Sequence, residues 1–275
     1  IALKLYKFDK ITHFDDVQRL NYFSLIWIKK GSGTATVGFN TYEYKDNYLF
    51  AFTPYQPFLF TPELKTEGAI IHFHSDFFCI HKHHSEIACN GVLFNNIYDP
   101  PFVIIDETTI DTLDMIWREM FKEIKGNDLA MNESVLSYLK LFLINGARLK
   151  TSQSPQIPKP NIEENFIVQK LKDLIEKHYK TKHSPKDYAE VLHISAKALA
   201  KISKNYFNKT LTTLISERII IEAKRELYLT NKSISEIGLE LGYEDEFYFS
   251  RFFKKNTDIS PSIYRKTVGF NKINS

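Results

Sequence analysis

A chain of 275 residues, 43% hydrophobic and 25% charged with a formal net charge of +3, has apolar surface enough for two cores and no extreme charge. Its 2 cysteines exclude a disulfide framework and make a reducing cytoplasm the default setting. No apolar run approaches the ~20 residues that span a bilayer, and Ile1 begins without a basic n-region or cleavage site, so neither a membrane anchor nor a signal peptide is expected.

The first elements read as strands. Tyr22 to Lys29 alternates, with Phe23, Leu25 and Trp27 on one face, and Lys30-Gly31-Ser32-Gly33 is a turn signal. Thr34 to Tyr44 resumes β-branched and aromatic content, Asp46-Asn47 marks a turn, and Tyr48 to Phe52 is a further strand. Pro54, Pro57 and Pro62 punctuate loops before a strand from Ala69 to His74. Short strands at this spacing imply an all-β barrel or sandwich.

His72, His74, Cys79, His81, His83, His84 and Cys89 then form a cluster of imidazole and thiol groups that suit zinc, copper or iron. His72-Phe73-His74 supplies a His-x-His, but no glutamate follows until Glu86. The pattern falls short of a cupin metal site, and no metal or other cofactor is assigned. A metal-dependent cupin enzyme with a helical appendage stays as the alternative. His72 and His74 share a strand face and, with Trp27, are candidates to line an effector pocket.

Two helices follow. Ile110, Leu113, Trp117, Met120 and Ile124 keep helical steps, as do Val135, Leu139, Phe142 and Leu149. Leu136 to Ile144 is apolar nearly all round, which demands burial on more than one side, by packing on the strands or by a homodimer interface. Thr151 to Asn161, with three prolines, reads as a semi-extended linker.

The C-terminal part is helical and repeats. Ser184-Pro185 starts a helix that Tyr188, Ala189, Val191 and Leu192 continue; His193-Ile194 turns, and Ser195 caps a second helix. That helix carries Leu199 and Ile202 inside and Lys197, Lys201 and Lys204 outside. Leu214 to Leu229 is one long connecting helix. Ser233 and Glu236 then have capping-box spacing, Ile234, Ile237 and Leu241 form an apolar stripe, and Gly242 stops the helix. Glu244 or Asp245 caps the next, whose stripe is Phe249, Phe252 and Phe253 and whose edge is Arg251, Lys254 and Lys255. Ser260-Pro261 restarts a helix. Setting Ala189 against Gly238 gives a repeat of 49 residues. Residues 162–275 hold 20 Lys+Arg against 15 Asp+Glu, whereas 1–161 hold 16 against 18, so the basic excess sits with the helical repeat, as phosphate contacts require.

The residues that carry the repeat make the likeness specific. Ile237, Gly242-Tyr243, Asp245, Tyr248-Phe249-Ser250-Arg251, Phe253-Lys254-Lys255, Ser260-Pro261 and Tyr264-Arg265, with Ala189, Leu192, Ile194-Ser195, Leu199, Arg218 and Ala223 upstream, resemble the DNA-binding domain of the AraC/XylS family of bacterial transcription regulators over roughly residues 165–267. The chain departs from that pattern at Asn208 and Asp258, where glycine is expected, at Gly238 in place of alanine, and at Ser203 in place of a large aromatic. A looser likeness to the family's cupin-like module covers Gly31-Ser32-Gly33 and Asp46 to Pro54.

The resemblance implies an α+β chain of two domains. Residues 1–150 would be a cupin-like β-barrel with two trailing helices for effector binding and dimerisation, 151–161 a linker, and 162–275 an all-α domain with two helix-turn-helix units joined by a long helix. It implies double-stranded DNA as partner, a homodimer, an unknown small-molecule effector, RNA polymerase if the chain activates, and no catalysis. Carried over position by position, Lys197, Ala200 and Lys201 face bases or phosphates in the first unit, and Glu246, Phe247, Ser250 and Arg251 in the second. Arg251 suits guanine O6/N7, Glu246 cytosine N4 and Phe247 a thymine methyl, while Lys204 and Lys254 suit phosphates.

Overall fold

In the computed structural model the described residues are 3–9, 16–38, 40–75, 77–78, 93–94, 97–126, 129–153 and 162–268. Contacts divide the chain into two compact units, Ile1–Asn96 with Pro100–Ser154, and Ile97–Asp99 with Pro155–Ser275.

In the first unit, β1 (Leu3–Phe8), β2 (Phe23–Lys30), β5 (Tyr48–Phe52), β7 (Glu67–Phe73) and β8 (Phe102–Ile104) form an antiparallel sheet in the order β1-β7-β2-β5-β8. A second sheet orders β4 (Asn40–Tyr44), β3 (Gly33–Val37) and β6 (Phe58–Pro62) as β4-β3-β6. Among the described residues no ladder joins the two sheets, so they do not close into the barrel expected from the sequence. The stretch Thr34–Tyr44 is a hairpin of two strands rather than one run. β1, β6 and β8 are additional to the strands expected from the sequence. β6 lies at a sheet edge, where the ladder tolerates its terminal Pro62.

The five-stranded sheet is buried on both faces, which gives the unit two cores. Ile26, Ile28, Phe50, Phe52 and Ile70 point towards the small sheet and pack with Ala35, Phe58 and Phe60. Phe23, Leu25, Trp27, Ala69 and Ile71 point the other way, onto α1 (Glu107–Gly126) and α2 (Met131–Gln153). Leu113, Trp117, Met120, Leu139 and Phe142 fill that second core, as their helical spacing requires. Leu141 of the apolar stretch is 47% exposed. α2 runs past the expected linker start at 151. Thr151 and Ser152 return their hydroxyls to the carbonyls of Ala147 and Leu149, and the helix ends just before Pro155.

His72 is 4% exposed on the inter-sheet face of β7. Its Nε2 lies 2.8 Å from the Tyr6 hydroxyl and its Nδ1 2.9 Å from that of Ser24, so both ring nitrogens are engaged. Burial first, then the Lys4 ammonium, lowers its pKa from 6.5 to about 4. Between those values the unfolded chain takes up a proton that the folded chain refuses. Stability therefore falls as pH drops through this window, by about 3 kcal/mol in total. Urea unfolding at pH 7 and pH 4 should show that loss in the parent chain and a smaller one in His72→Gln.

The second unit is all helical: α3 (Ile162–His178), α4 (Pro185–Val191), α5 (Ala196–Phe207), α6 (Leu211–Leu229), α7 (Ile234–Glu240), α8 (Glu246–Thr257) and α9 (Pro261–Val268). α6 is its axis. Leu214, Ile215, Ile219, Ala223 and Leu227 are all buried, as their spacing implies. Ile97–Asp99, though far upstream in sequence, completes this unit. Ile97 is 1% exposed, and its carbonyl accepts a hydrogen bond of 2.9 Å from the Lys209 ammonium. The Tyr98 hydroxyl donates to Glu176 at 3.2 Å, and its ring lies 5.7 Å from that of Phe207.

Candidate nucleic-acid interface

Two helix-turn-helix units are built from matching parts. α4 and α7 have 7 residues each and begin 49 positions apart, at Pro185 and Ile234. α5 and α8 have 12 residues each and begin 50 positions apart, at Ala196 and Glu246. The extra residue of the second unit therefore sits in its turn.

Local chemistry fixes each boundary. Ser184 with Asp187 and Ser233 with Glu236 form reciprocal capping boxes that start α4 and α7. Ser195 caps α5 by accepting from Ala198 N, and Asp245 caps α8 by accepting from Phe247 N. After α4 and α7 the chain enters the left-handed region, at His193 with φ 54° and Gly242 with φ 83°. Asn208 (φ 52°) and Asp258 (φ 65°) do the same after α5 and α8. The bend expected of glycine is thus kept by residues that tolerate this region.

Ser203 is the departure with most bearing on packing. It is fully buried, and its hydroxyl donates to the Lys209 carbonyl at 2.8 Å. Fifty positions on stands Phe253, also fully buried. There the matching carbonyl, of Ile259, accepts from Thr257 at 3.1 Å, one helical turn later. In the first unit that later position holds Phe207. The two units exchange the places of one aromatic ring and one hydroxyl, and both keep a buried ring and a satisfied turn carbonyl. Gly238 is explained by closeness: a Cβ there would meet Phe249 of the reading helix at 3.2 Å.

Two anchors hold the units on α6. Arg218 donates to Glu176 at 2.7 Å and Glu222 at 3.2 Å, and its guanidinium lies 3.9 Å from the Tyr179 ring centroid. Arg265 donates to the carbonyls of Leu227 and Lys232 at 3.3 and 2.6 Å, which satisfies the C-terminal end of α6. A direct contact joins the units themselves. The Tyr243 ring of the second turn lies 4.9 Å from His183, which precedes α4.

The residues expected to read DNA are all on the outer faces of α5 and α8. Lys197, Ala200, Lys201 and Lys204 are exposed, as are Glu246, Phe247, Arg251 and Lys254, and Ser250 is half-buried. Phe247 is 76% exposed, a large apolar side chain with no fold-internal role. Tyr248, placed by the sequence only within the motif, is 58% exposed and one turn before Arg251, so it joins this face. Its helical spacing was the available signal. In the other unit, Trp27 and His72 lie on opposite faces of the five-stranded sheet, so one pocket cannot be lined by both. Cys79, His81, His83, His84 and Cys89 lie outside the described residues.

A family model described as a helix-turn-helix domain matches residues 188–267, from α4 to α9. Over those residues the chain carries a helix-turn-helix domain of the AraC type. It is 28% identical over 245 residues to the HTH-type transcriptional activator Btr of Bacillus subtilis, which covers 86% of this chain and 43% of Btr. It is 32% identical over 95 residues to the raffinose operon transcriptional regulatory protein RafR of Pediococcus pentosaceus, 34% of each. The chain thus spans less than half the length of these relatives. ToxT from Vibrio cholerae aligns over 97% of this chain and 98% of its own, at 16% identity and a TM-score of 0.44. No helix among the described residues is long and apolar enough to cross a membrane.

Proposed function

We propose that the chain is a sequence-specific, DNA-binding transcription regulator of the AraC/XylS type, not an enzyme. Its N-terminal unit acts as a cupin-like module for a small-molecule effector and for homodimerisation, and double-stranded DNA is its macromolecular partner. The observation that carries this reading is the pair of equal-length reading helices, α5 and α8, with their exposed cationic faces anchored to one rigid helix. Such a pair suits two major-groove segments about one turn, ~34 Å, apart. Lys197, Ala200 and Lys201 serve the first head; Glu246, Phe247, Ser250 and Arg251 serve the second; Lys204 and Lys254 hold phosphates. The name of Btr favours activation, and with it an approach to RNA polymerase. A cytoplasmic setting follows from DNA as target.

The test is binding to DNA from the chain's own upstream region against random DNA, over a salt series. Arg251→Ala should cost ~1–3 kcal/mol at one base position, whereas Lys254→Ala should weaken all sequences alike and flatten the salt slope. Equal affinity for every sequence would sink the reading.

A further inference from the structure

A cleft of about 400 Å³ on the first unit is lined by Lys7, Phe8, Asp9, Lys29, Glu67 and Gly68. That volume is at the lower end of small-molecule sites. The strand register explains its composition. The β2–β7 ladder is regular up to Ile28 paired with Gly68, then slips, so that Lys30 pairs with Glu67 and Lys29 is the extra residue of a bulge. Bulges re-aim side chains and recur beside binding sites. Here the Lys29 ammonium turns over the Trp27 ring, 4.4 Å from its centroid, and 5.8 Å from that of Trp117. From β1, the Lys7 ammonium lies 5.4 Å from the Trp117 centroid.

Of the charged groups on this cleft, only Lys29 has an ion pair among the described residues. Lys29 pairs with Asp114 of α1, but Asp114 also pairs with Arg118, so one carboxylate serves two cations. Lys7 makes no ion pair among the described residues, and neither do Asp9 and Glu67, although all three line the same cleft. Both indole N–H groups, of Trp27 and Trp117, are buried without an acceptor among the described residues. The cleft thus carries the ammonium groups of Lys7 and Lys29 and the carboxylates of Asp9 and Glu67, and none of these four pairs with another among the described residues.

We propose that this cleft binds a zwitterionic α-amino acid, its carboxylate towards Lys7 and Lys29 and its ammonium towards Asp9 and Glu67. A single ligand then satisfies both sets of charges, which neither a simple anion nor a simple cation does. The site is independent of the DNA-reading face, so this proposal and the regulatory one can fail separately.

The chain has 2 tryptophans, Trp27 and Trp117, whose rings lie under the Lys29 and Lys7 ammoniums of the cleft, so tryptophan emission reports on a ligand that engages those lysines. Equilibrium dialysis of the whole chain against an equimolar mixture of the twenty amino acids should retain at least one of them. That amino acid, or calorimetry where it absorbs, should shift emission saturably. Its amide, lacking the carboxylate, and its deaminated acid, lacking the ammonium, should each bind at least tenfold more weakly. Lys7→Gln and Asp9→Asn, both at exposed positions, should each weaken binding by a similar factor while leaving the unfolding midpoint and DNA affinity unchanged. Retention of no amino acid, equal binding of the amide or the acid, or full binding by Lys7→Gln would overturn the proposal.

Discussion

Gly242→Ala is expected to destabilise the second helix-turn-helix unit by about 2–4 kcal/mol, from a left-handed backbone and an overpacked contact together. The backbone holds φ at 83°, and an added Cβ would stand 2.2 Å from the carbonyl oxygen of Lys180. That carbonyl belongs to the turn before α4, so relief would have to part the two reading heads. His193 holds the matching place in the first unit with a similar φ of 54°, but is exposed. His193→Gly should therefore change stability by no more than about 1 kcal/mol. Urea unfolding followed by helical circular dichroism checks both. Parent-like stability in Gly242→Ala would mean that the contact between the heads is not tight.

Arg218→Ala should cost about 2–3 kcal/mol, below the 3–5 kcal/mol of a fully buried pair because Glu176 is partly exposed and Glu222 keeps Arg225. The variant also removes the guanidinium stacked on Tyr179, so Arg218→Lys should recover only part of the loss. Burial pulls the Glu222 carboxyl upwards, but the Arg218 and Arg225 guanidiniums outweigh it and hold it below its ordinary 4.5. Stability from this pair is present above that value and lost as pH falls through the lowered one. The gap between Arg218→Ala and parent, measured by unfolding, should therefore be widest near pH 7 and narrow in acid.

The helix-turn-helix units were legible because their boundaries are set by neighbours in sequence. Ser184, Ser195, Ser233, Asp245 and Ser260-Pro261 start helices through bonds to partners two or three residues away, and these bonds are present. Ser203 was not legible in the same way. Its partner is a carbonyl brought round by the turn, and only the comparison with Thr257 shows the exchange of ring and hydroxyl. Register between strands was hidden in the sequence for a related reason. Parity along one strand places Phe23, Leu25 and Trp27 together, but His72 is on another strand. Its register places it opposite Ser24, hence on Ser24's face and not Trp27's. Thr151 and Ser152 looked like linker by composition, yet no helix breaker precedes Pro155, and their hydroxyls bond back to the helix.

The three residues Ile97–Asp99 bear on how this molecule should be taken apart. A fragment trimmed to the helical repeat, beginning at residue 162, would lose the carbonyl that receives Lys209 and the ring that covers Phe207. What remained would be a reading head with an empty socket behind α5. Its weak grip on DNA would then measure the surgery rather than the protein.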